Sequence, residues 1–249
     1  MKYLYRLYLV VVVLPILTVV TILTAVITAV GSLLGGERFF SFYPGRIWSR
    51  ITLYLLLCPV CVSGKEHIKK GKSYVVTPNH SSAIDIFLLY GYFDRAFKWV
   101  MKGALRKIPV VGWACEKAGF IFVNLAKPME VVSYAEAAIK DRYSILIFPE
   151  GTRSEDGRVG RLKKGAFRIA GDTGAPILPV YIRGAHHVLP KNGFWPRPGK
   201  LELKYFPELC PDDFKDENGK VDVSAMLRKV EGVLKDEEER CGDNPKKFG

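Results

Sequence analysis

His80 and Asp85 stand five positions apart, directly after the apolar run Tyr74-Val75-Val76. An imidazole can accept a hydroxyl proton near neutral pH, and it does so best when a carboxylate holds its other nitrogen in one tautomer. On one continuous helix this separation would turn the two side chains about 140° apart, so they can meet only if the chain bends between them. A strand ending at Pro78 and a helix starting near Ser82 would provide that bend. The segment therefore predicts a general base with an acidic partner.

The same segment has a second interpretation, in which Asp85 only caps a helix. Ser82 and Asp85 have the spacing of an N-cap residue and an acid at the third helical position, ahead of the apolar run Ile86-Phe87-Leu88-Leu89. In that arrangement both side chains satisfy free backbone N–H groups of the first turn. This segment alone leaves both interpretations open.

A second segment with polar side chains follows another short apolar run much further along the chain. Ser144-Ile145-Leu146-Ile147 is typical of a buried strand, and Phe148 to Ser154 comes directly after it. A glutamate, a glycine, a hydroxyl and an arginine at a strand's end can form a grip for an oxyanion or a phosphate. The residues concerned are Glu150, Gly151, Thr152 and Arg153. In an open α/β sheet, ligands bind at the carboxyl ends of the strands, where both segments are predicted to lie.

Together these segments resemble the glycerolipid acyltransferase family, and most closely its bacterial lysophosphatidic acid acyltransferases. The matching stretches are Asn79, His80 and Asp85 of an Asn-His-x4-Asp motif, Phe148–Ser154 of a Phe-Pro-Glu-Gly-Thr-Arg-Ser motif, the proline strand Leu178–Ile182, Lys102–Gly112, and the basic glycine turn Lys163–Phe167. The resemblance spans about residues 73–206. Either main motif alone is of modest specificity for this family, whereas the full set of motifs in this order is highly specific.

The resemblance implies an enzyme that transfers an acyl group from a thioester to the sn-2 hydroxyl of lysophosphatidic acid, giving phosphatidic acid. The donor would be acyl carrier protein or acyl-CoA, and no cofactor or metal is expected. His80 would be the general base and Asp85 its orienting partner. The expected substrate-binding residues are Glu150, Gly151, Thr152, Arg153, Lys102 and Lys127. Glu150 would bond an acceptor hydroxyl or hold Arg153 in place.

The chain departs from the family pattern in one motif. The family's second motif usually runs Gly-x-x-x-x-Asp-Arg, whereas Gly119 is followed here by Asn124-Leu125 at the acid and arginine positions. That arginine is usually assigned to the acceptor's phosphate. Arg153 is the first candidate to supply the missing charge, and Lys102 and Lys127 are the others.

Two kinds of rival function remain. One is a related enzyme, either a glycerol-3-phosphate acyltransferase or an acyl-thioester hydrolase. The other is a non-enzymatic, membrane-bound protein that binds lipid with the same fold.

The net positive charge of the chain favours partners that carry negative charge. Its formal net charge is +12 and its pI is about 9.4, which suits nucleic acid or an anionic membrane. No nucleic-acid motif is recognisable, so a phospholipid membrane is the expected partner. An acidic carrier protein would also be attracted.

The N-terminal region supports membrane attachment. The residues from Leu7 to Gly36 include no charge, and as a helix they would reach about 45 Å against a hydrocarbon core of about 30 Å. A second apolar stretch from Ile51 to Val62 could pair with the first as a hairpin in one leaflet. Because basic residues flank the first run on both sides, a monotopic two-helix anchor on the cytoplasmic face of the inner membrane is favoured over a single span.

The rest of the chain alternates between strand and helix patterns, which predicts an α/β fold with a largely parallel sheet covered by helices. Strands are predicted near 74–77, 97–100, 120–123, 145–148, 177–182 and 201–205, and helices near 129–140, 166–172 and 223–240. The expected domains are a hydrophobic anchor at 1–64 and an α/β acyltransferase domain at 65–249. The charged, glycine-containing segment 154–161 is either a surface loop or a lid.

Overall fold

The computed structural model describes residues 2–123 and 128–242. Its centre is a seven-stranded sheet with the order β1-β7-β6-β2-β5-β3-β4. The strands are β1 (Val60–Ser63), β2 (Val75–Pro78), β3 (Phe97–Lys102), β4 (Ile121–Val123), β5 (Ser144–Leu146), β6 (Ile177–Arg183) and β7 (Leu201–Tyr205). All six predicted strands are present, and β1 was not predicted.

Most of the sheet is parallel, as the sequence predicts. Strands β6, β2, β5, β3 and β4 run in one direction. Strand β7 pairs with β6 antiparallel, and β1 pairs with β7 in parallel. The carboxyl ends of β2, β5 and β6 therefore meet at one edge of the sheet, together with the amino ends of β1 and β7.

Helices cover both faces of the sheet. They are α1 (Lys2–Tyr8), α2 (Leu14–Gly31), α3 (Glu37–Phe40), α4 (Tyr43–Leu55), α5 (Ile84–Tyr92), α6 (Val111–Lys117), α7 (Pro128–Lys140), α8 (Gly165–Thr173), α9 (Ala185–Val188) and α10 (Val223–Cys241). Short 3-10 turns lie at Lys65–His67, Gly103–Lys107 and Pro211–Phe214.

The two faces have separate apolar cores. Tyr74 and Val76 contribute to the core beneath α4 and α5. Val75 and Ile145 contribute to the opposite core, beneath α7, α8 and α10. Every residue of β2 is buried because side chains on both faces of this central strand are covered. The strand that leads to His80 is thus held rigidly.

The N-terminal helix, Lys2–Phe40, combines α1, α2 and α3 through two π-helical turns. It bends at Gly35, whose φ is 87°, a conformation that glycine adopts without steric cost. Only 11% of its most apolar 18-residue stretch is buried, so most of the hydrophobic surface of the helix faces outward. A long exposed apolar helix of this kind indicates membrane association.

Both ends of the N-terminal helix contact the α/β domain. At its start, the Tyr5 hydroxyl donates to the Leu56 carbonyl at 2.9 Å and the Tyr8 hydroxyl donates to the Leu55 carbonyl at 3.0 Å. Near its other end, Glu37 pairs with the buried ammonium of Lys98. The helix therefore lies along the domain instead of projecting from it.

Helix α4 returns along the N-terminal helix and packs against α5. The Trp48 indole N–H donates to the Thr21 hydroxyl at 2.9 Å, which joins α4 to α2. On its other side, the Arg50 guanidinium donates to the Gly91 carbonyl of α5 at 2.9 Å. The pair of helices is consequently part of the layer that covers one face of the sheet.

The prediction that Ile51–Val62 forms one apolar arm of a hairpin is wrong in its second half. Helix α4 ends at Leu55, and Val60 to Val62 belong to β1 at the edge of the sheet. Pro59 cannot continue a helix, and the valines that follow suit a strand. Strand β1 lies inside the range 1–64 assigned to the anchor, and the division into two domains stays a prediction.

Candidate active site

The segments of His80 and Glu150 meet because β2 and β5 are neighbours in the sheet. Val75 and Val76 pair with Ile145 and Leu146, so both chains leave the sheet at the same edge. The His80 backbone N–H donates to Glu150 Oε1 at 2.8 Å.

A second backbone hydrogen bond joins the same two segments. The backbone N–H of Ser154 donates to the His80 carbonyl at 2.8 Å. Residues 70 or more positions apart in the sequence therefore form one compact loop cluster.

His80 and Asp85 are in contact. Asp85 Oδ2 lies 2.9 Å from His80 Nδ1, and it also accepts the backbone N–H groups of Ser81 at 2.7 Å and Ser82 at 2.8 Å. Asp85 is completely buried, and the His80 side chain is 13% exposed. With its proton on Nδ1 toward this carboxylate, the imidazole presents the lone pair of Nε2 to a substrate.

The capping interpretation of Asp85 is also partly realised. Asp85 lies in the first turn of α5, and its bonds to the N–H groups of Ser81 and Ser82 fix the bend that the sequence requires. The Ser82 hydroxyl accepts the Ile84 N–H at 3.1 Å and donates to the Leu189 carbonyl at 2.6 Å. The same carboxylate thus shapes the turn and contacts the imidazole, so the two interpretations are compatible.

Phe148 holds one face of the imidazole. The His80 and Phe148 rings are stacked, with centroids 3.7 Å apart and an interplanar angle of 14°. Phe148 in turn lies 5.7 Å from the Trp99 ring. No role in the site was predicted for either aromatic side chain. They restrict rotation of the His80 ring and shield it from water on that side.

Glu150 is buried and is hydrogen-bonded through both oxygens to backbone groups. It is 5% exposed, and besides the His80 N–H it accepts the Gly160 N–H at Oε2, at 3.2 Å. A side chain at Gly160 would displace this carboxylate, because an added Cβ would lie 2.7 Å from Oε2. Burial raises the pKa of Glu150 to about 7, and the two N–H bonds only partly counteract this effect.

An adjacent cavity of about 400 Å³ is formed by the segment after Glu150, and we call it the arginine pocket. It is lined by Glu150, Thr152, Arg153, Ser154, Glu155, Asp156, Arg158, Val159, Gly160 and Arg161. The segment 154–161, predicted to be a surface loop or a lid, forms one wall of this cavity.

Two acidic residues of the arginine pocket have polar partners, whereas Arg153 has no carboxylate partner among the described residues. Glu155 pairs with Lys191 at 3.2 Å, and Asp156 accepts the Ser154 hydroxyl at 2.8 Å. Within residues 2–123 and 128–242, no carboxylate forms an ion pair with Arg153. Its guanidinium is therefore available to an anion in the cavity.

The other residues predicted to bind substrate lie in different places. Gly151 has a φ of 73° and is covered by the Lys163 ammonium, which would lie 2.8 Å from an added Cβ. Lys102 ends β3 at the same edge of the sheet, exposed, and does not line the arginine pocket. Lys127, and Leu125 at the position of the family's arginine, lie outside the described residues.

Three further cations near the site had no predicted role in binding. They are Lys163, Arg158 and Arg161. The run Lys163-Lys164-Gly165 carried a signal as the basic turn before α8, but its contact with Gly151 depends on tertiary structure. Arg158 and Arg161 had no signal beyond their place in a charged segment.

The comparison with solved structures supports this arrangement of elements. The crystal structure of the 1-acyl-sn-glycerophosphate acyltransferase PlsC from Thermotoga maritima matches with a TM-score of 0.82 and 29% sequence identity, over 98% of this chain and 99% of that chain. The similarity therefore includes the N-terminal helix as well as the sheet.

Curated sequences give a consistent result. A 1-acyl-sn-glycerol-3-phosphate acyltransferase of Borreliella burgdorferi is 34% identical over 155 residues, which cover 61% of this chain and 62% of the relative. The chloroplastic 1-acyl-sn-glycerol-3-phosphate acyltransferase BAT2 of Brassica napus is 32% identical over 158 residues, covering 62% of this chain and 45% of the relative. The chain spans about half the length of the plant relatives that it matches.

A family model gives the most direct assignment. The model described as Acyltransferase matches residues 59–183, a range that contains β1 to β6 and both segments of the site. The order of the motifs, the fold and this match agree, and the chain belongs to the acyltransferase family.

Proposed function

We propose that this chain transfers an acyl group from a thioester to the sn-2 hydroxyl of lysophosphatidic acid and so forms phosphatidic acid. The observation that carries the proposal is the contact between His80 and the buried Asp85, beside a pocket lined by Arg153, which has no carboxylate partner among the described residues. The similar proteins described above are named for acyl transfer to the same acceptor. The acyl donor would be acyl carrier protein or acyl-CoA.

His80 acts as the general base in this mechanism. Its Nε2 accepts the proton of the acceptor hydroxyl as the hydroxyl oxygen attacks the thioester carbonyl carbon. The tetrahedral intermediate then collapses, the carbon–sulfur bond breaks, and the imidazolium returns its proton to the departing thiolate. The products are the new ester and a free thiol, and His80 ends in its starting protonation state.

Asp85 stabilises the charged form of His80 during the reaction. A carboxylate in contact with Nδ1 favours the imidazolium that forms when Nε2 is protonated. Because Asp85 is fully buried, water screens this attraction weakly. The backbone N–H groups of Ser81 and Ser82 hold the carboxylate in position.

Arg153 binds the phosphate of the acceptor. A guanidinium can form two parallel hydrogen bonds to phosphate oxygens, and Arg153 lines the arginine pocket. The next residue, Ser154, bonds to the His80 carbonyl. A phosphate held by Arg153 would therefore bring the acceptor hydroxyl close to His80, with Thr152 contributing to the pocket wall.

Glu150 positions the base. Its two oxygens connect the His80 backbone to Gly160 in the opposite wall of the arginine pocket. This carboxyl group fixes the separation between the base and the acceptor pocket. We therefore assign Glu150 to this role instead of to a bond with the acceptor hydroxyl.

The N-terminal helix attaches the protein to one face of a membrane, as a monotopic anchor. A helix that crosses a bilayer places its ends on opposite sides, whereas both ends of this helix contact the same α/β domain. The exposed apolar side chains along it would enter one leaflet. In a bacterial cell this site would be the cytoplasmic face of the inner membrane, where acyl thioesters and lysophosphatidic acid can meet.

Replacing the base should stop the reaction. We expect His80→Ala to lower kcat for acyl transfer to lysophosphatidic acid by about 10²- to 10⁴-fold, with the fold intact by circular dichroism. The matched control is His67→Ala, in the turn Lys65–His67, which should retain wild-type kcat. Retained turnover in His80→Ala would exclude His80 as the base. Release of free fatty acid by the wild type without any acceptor would favour a hydrolase instead.

Removing the phosphate ligand should weaken acceptor binding selectively. We expect Arg153→Ala to raise KM for lysophosphatidic acid about 10- to 100-fold, because a hydrogen bond to a charged group typically contributes about 1.5–3 kcal/mol, while KM for the thioester stays unchanged. Arg168→Ala, an exposed arginine of α8, is the control. An unchanged acceptor KM in Arg153→Ala would move the phosphate site elsewhere, for instance to Lys102 or Lys127.

The buried Glu150 should make stability depend on pH. Its folded pKa of about 7 exceeds the ordinary 4.5, so the folded state holds the proton more tightly than the unfolded chain does. The resulting stabilisation is complete below about pH 4.5 and is lost as pH rises through about 7. We expect the free energy of unfolding of the wild type, relative to Glu150→Gln, to fall by up to ~3 kcal/mol across this range.

The measurement is denaturant unfolding in detergent at several pH values. Glu217→Gln, at an exposed position of a turn, should show no such trend relative to wild type. A difference between wild type and Glu150→Gln that stays constant with pH would contradict the assignment of a raised pKa to this carboxyl group.

Charges on the outward face of the N-terminal helix should release the protein from membranes. Val19 and Leu23 are 56% and 54% exposed, and a charged residue in the bilayer core costs about 2.5–3.5 kcal/mol. We expect Val19→Glu with Leu23→Glu to abolish flotation with phospholipid vesicles. Tyr134→Glu, at a 61% exposed position of α7, should float normally. Undiminished flotation of the double variant would refute this membrane-binding face.

A further inference from the structure

A second cavity, of about 590 Å³, lies between the start of the N-terminal helix and the loop that connects α9 to β7. We call it the aromatic pocket. The residues that matter for its chemistry are Lys2, Tyr5, Arg6, His187, Trp195 and Arg197, and Phe194 with prolines and a glycine of the loop completes its lining.

The aromatic pocket opens at the same edge of the sheet as His80. Strand β7 runs antiparallel to β6, so the loop between them lies at the carboxyl end of β6, next to β2. The Ser82 hydroxyl donates to the carbonyl of Leu189 at 2.6 Å, and Pro190, the next residue, lines the pocket. The loop that carries the base is therefore in direct contact with one wall of this cavity.

The two pockets lie on different sides of the base loop. The His80 carbonyl bonds to Ser154 in the arginine pocket, whereas Ser82 bonds to the segment that leads into the aromatic pocket. Glu155 of the first pocket and Lys191, next to Pro190 of the second, pair at 3.2 Å. The loop that carries the base thus contacts a wall of each cavity, one of which is assigned above to the acceptor phosphate.

The aromatic pocket combines positive charge with aromatic surface. None of its lining residues is acidic, and within the described part of the chain no carboxylate forms an ion pair with Lys2, Arg6 or Arg197. The Arg6 guanidinium lies 5.2 Å from the centre of the Trp195 ring, which keeps it at the cavity wall. These features suit a ligand that carries phosphate groups and also has an extended organic chain or a flat base.

We propose that the aromatic pocket binds the phosphopantetheine part of the acyl-thioester donor, an assignment that rests on the proposed function. Two substrates must reach one imidazole, and the acceptor phosphate occupies the cavity on one side of it. The donor's phosphate pairs with Arg6 and Arg197, and its pantetheine chain passes Trp195 toward the base loop. Coenzyme A and acyl carrier protein share this chemical group.

The proposal gives the first turns of the N-terminal helix a second role. Lys2, Tyr5 and Arg6 belong to α1, and the hydroxyl groups of Tyr5 and Tyr8 hold α1 against the domain. The membrane anchor would therefore supply part of the donor site. Attachment to the bilayer and capture of the donor would share one element.

The decisive variant is the double substitution Arg6→Ala with Arg197→Ala. We expect it to raise KM for the acyl thioester at least ~10-fold, while KM for lysophosphatidic acid and kcat at saturating donor stay within about twofold. Lys200→Ala, an exposed cation of the same loop that does not line the pocket, should match the wild type. Where both palmitoyl-CoA and palmitoyl-carrier protein are substrates, KM should rise for both.

A binding measurement separates failure of this proposal from failure of the proposed function. The probe is a thioether analogue of palmitoyl-CoA, which cannot transfer its acyl group, titrated calorimetrically into protein in detergent micelles. Binding by wild type and at least ~10-fold weaker binding by the double variant would support the pocket assignment even if no transfer to lysophosphatidic acid were detected.

Several results would overturn the proposal. Equal binding of the analogue by wild type and the double variant would exclude the aromatic pocket as the donor site, and so would no binding by wild type. If palmitoyl-CoA and palmitoyl-carrier protein are both substrates, a KM increase for only one of them would exclude recognition of the phosphopantetheine group that they share. Loss of flotation with anionic vesicles at unchanged donor affinity would assign these cations to the membrane surface.

Discussion

The site depends on a carboxylate that has been removed completely from water. An unpaired buried charge is strongly unfavourable, so a buried carboxylate such as that of Asp85 needs hydrogen-bond donors. Oδ2 meets three of them, the backbone N–H groups of Ser81 and Ser82 and the Nδ1 of His80. Its place in the first turn of α5 adds the favourable end of the helix dipole. The same contacts that make the burial tolerable fix the bend of the chain and the direction of the imidazole.

The elements around the bend between His80 and Asp85 must be held in place as well. The bend must begin at a fixed point, which the fully buried β2 provides, and α5 must be held against the sheet, which α4 does from the outer side. On the open side, Phe148 stacks on the His80 ring and Glu150 bonds to its backbone. Both residues belong to the segment that follows the neighbouring strand β5. The base is therefore positioned by β2 and α5, which flank it in the sequence, and by side chains of a segment 70 residues away.

The strand order explains why two cavities flank one base. Strand β2 lies between β5 and β6, so the loops that follow its neighbours necessarily lie on its two sides. One carries the arginine pocket, and the other carries the wall of the aromatic pocket. The start of the N-terminal helix closes the second cavity, and between Leu7 and Gly36 the outward face of that helix carries no charge. A reaction between two substrates, one of them a membrane lipid, suits this arrangement.

The fold class and six of the seven strands could be predicted from the sequence, and His80 and Asp85 could be identified as a candidate pair, although their contact was one of two open interpretations. These follow from short-range signals: apolar runs of strand length, a proline before the bend, and an acid at the start of an apolar helical stretch. The two motif segments could be placed at one edge because parallel strands share a carboxyl end. Three features could be seen only in the folded chain: Val60–Ser63 joins the sheet, Glu150 turns inward to backbone N–H groups, and Lys163 and the Phe148 ring reach the site. Each of these depends on contacts between residues far apart in the chain, and local patterns do not encode which distant partner a side chain will meet.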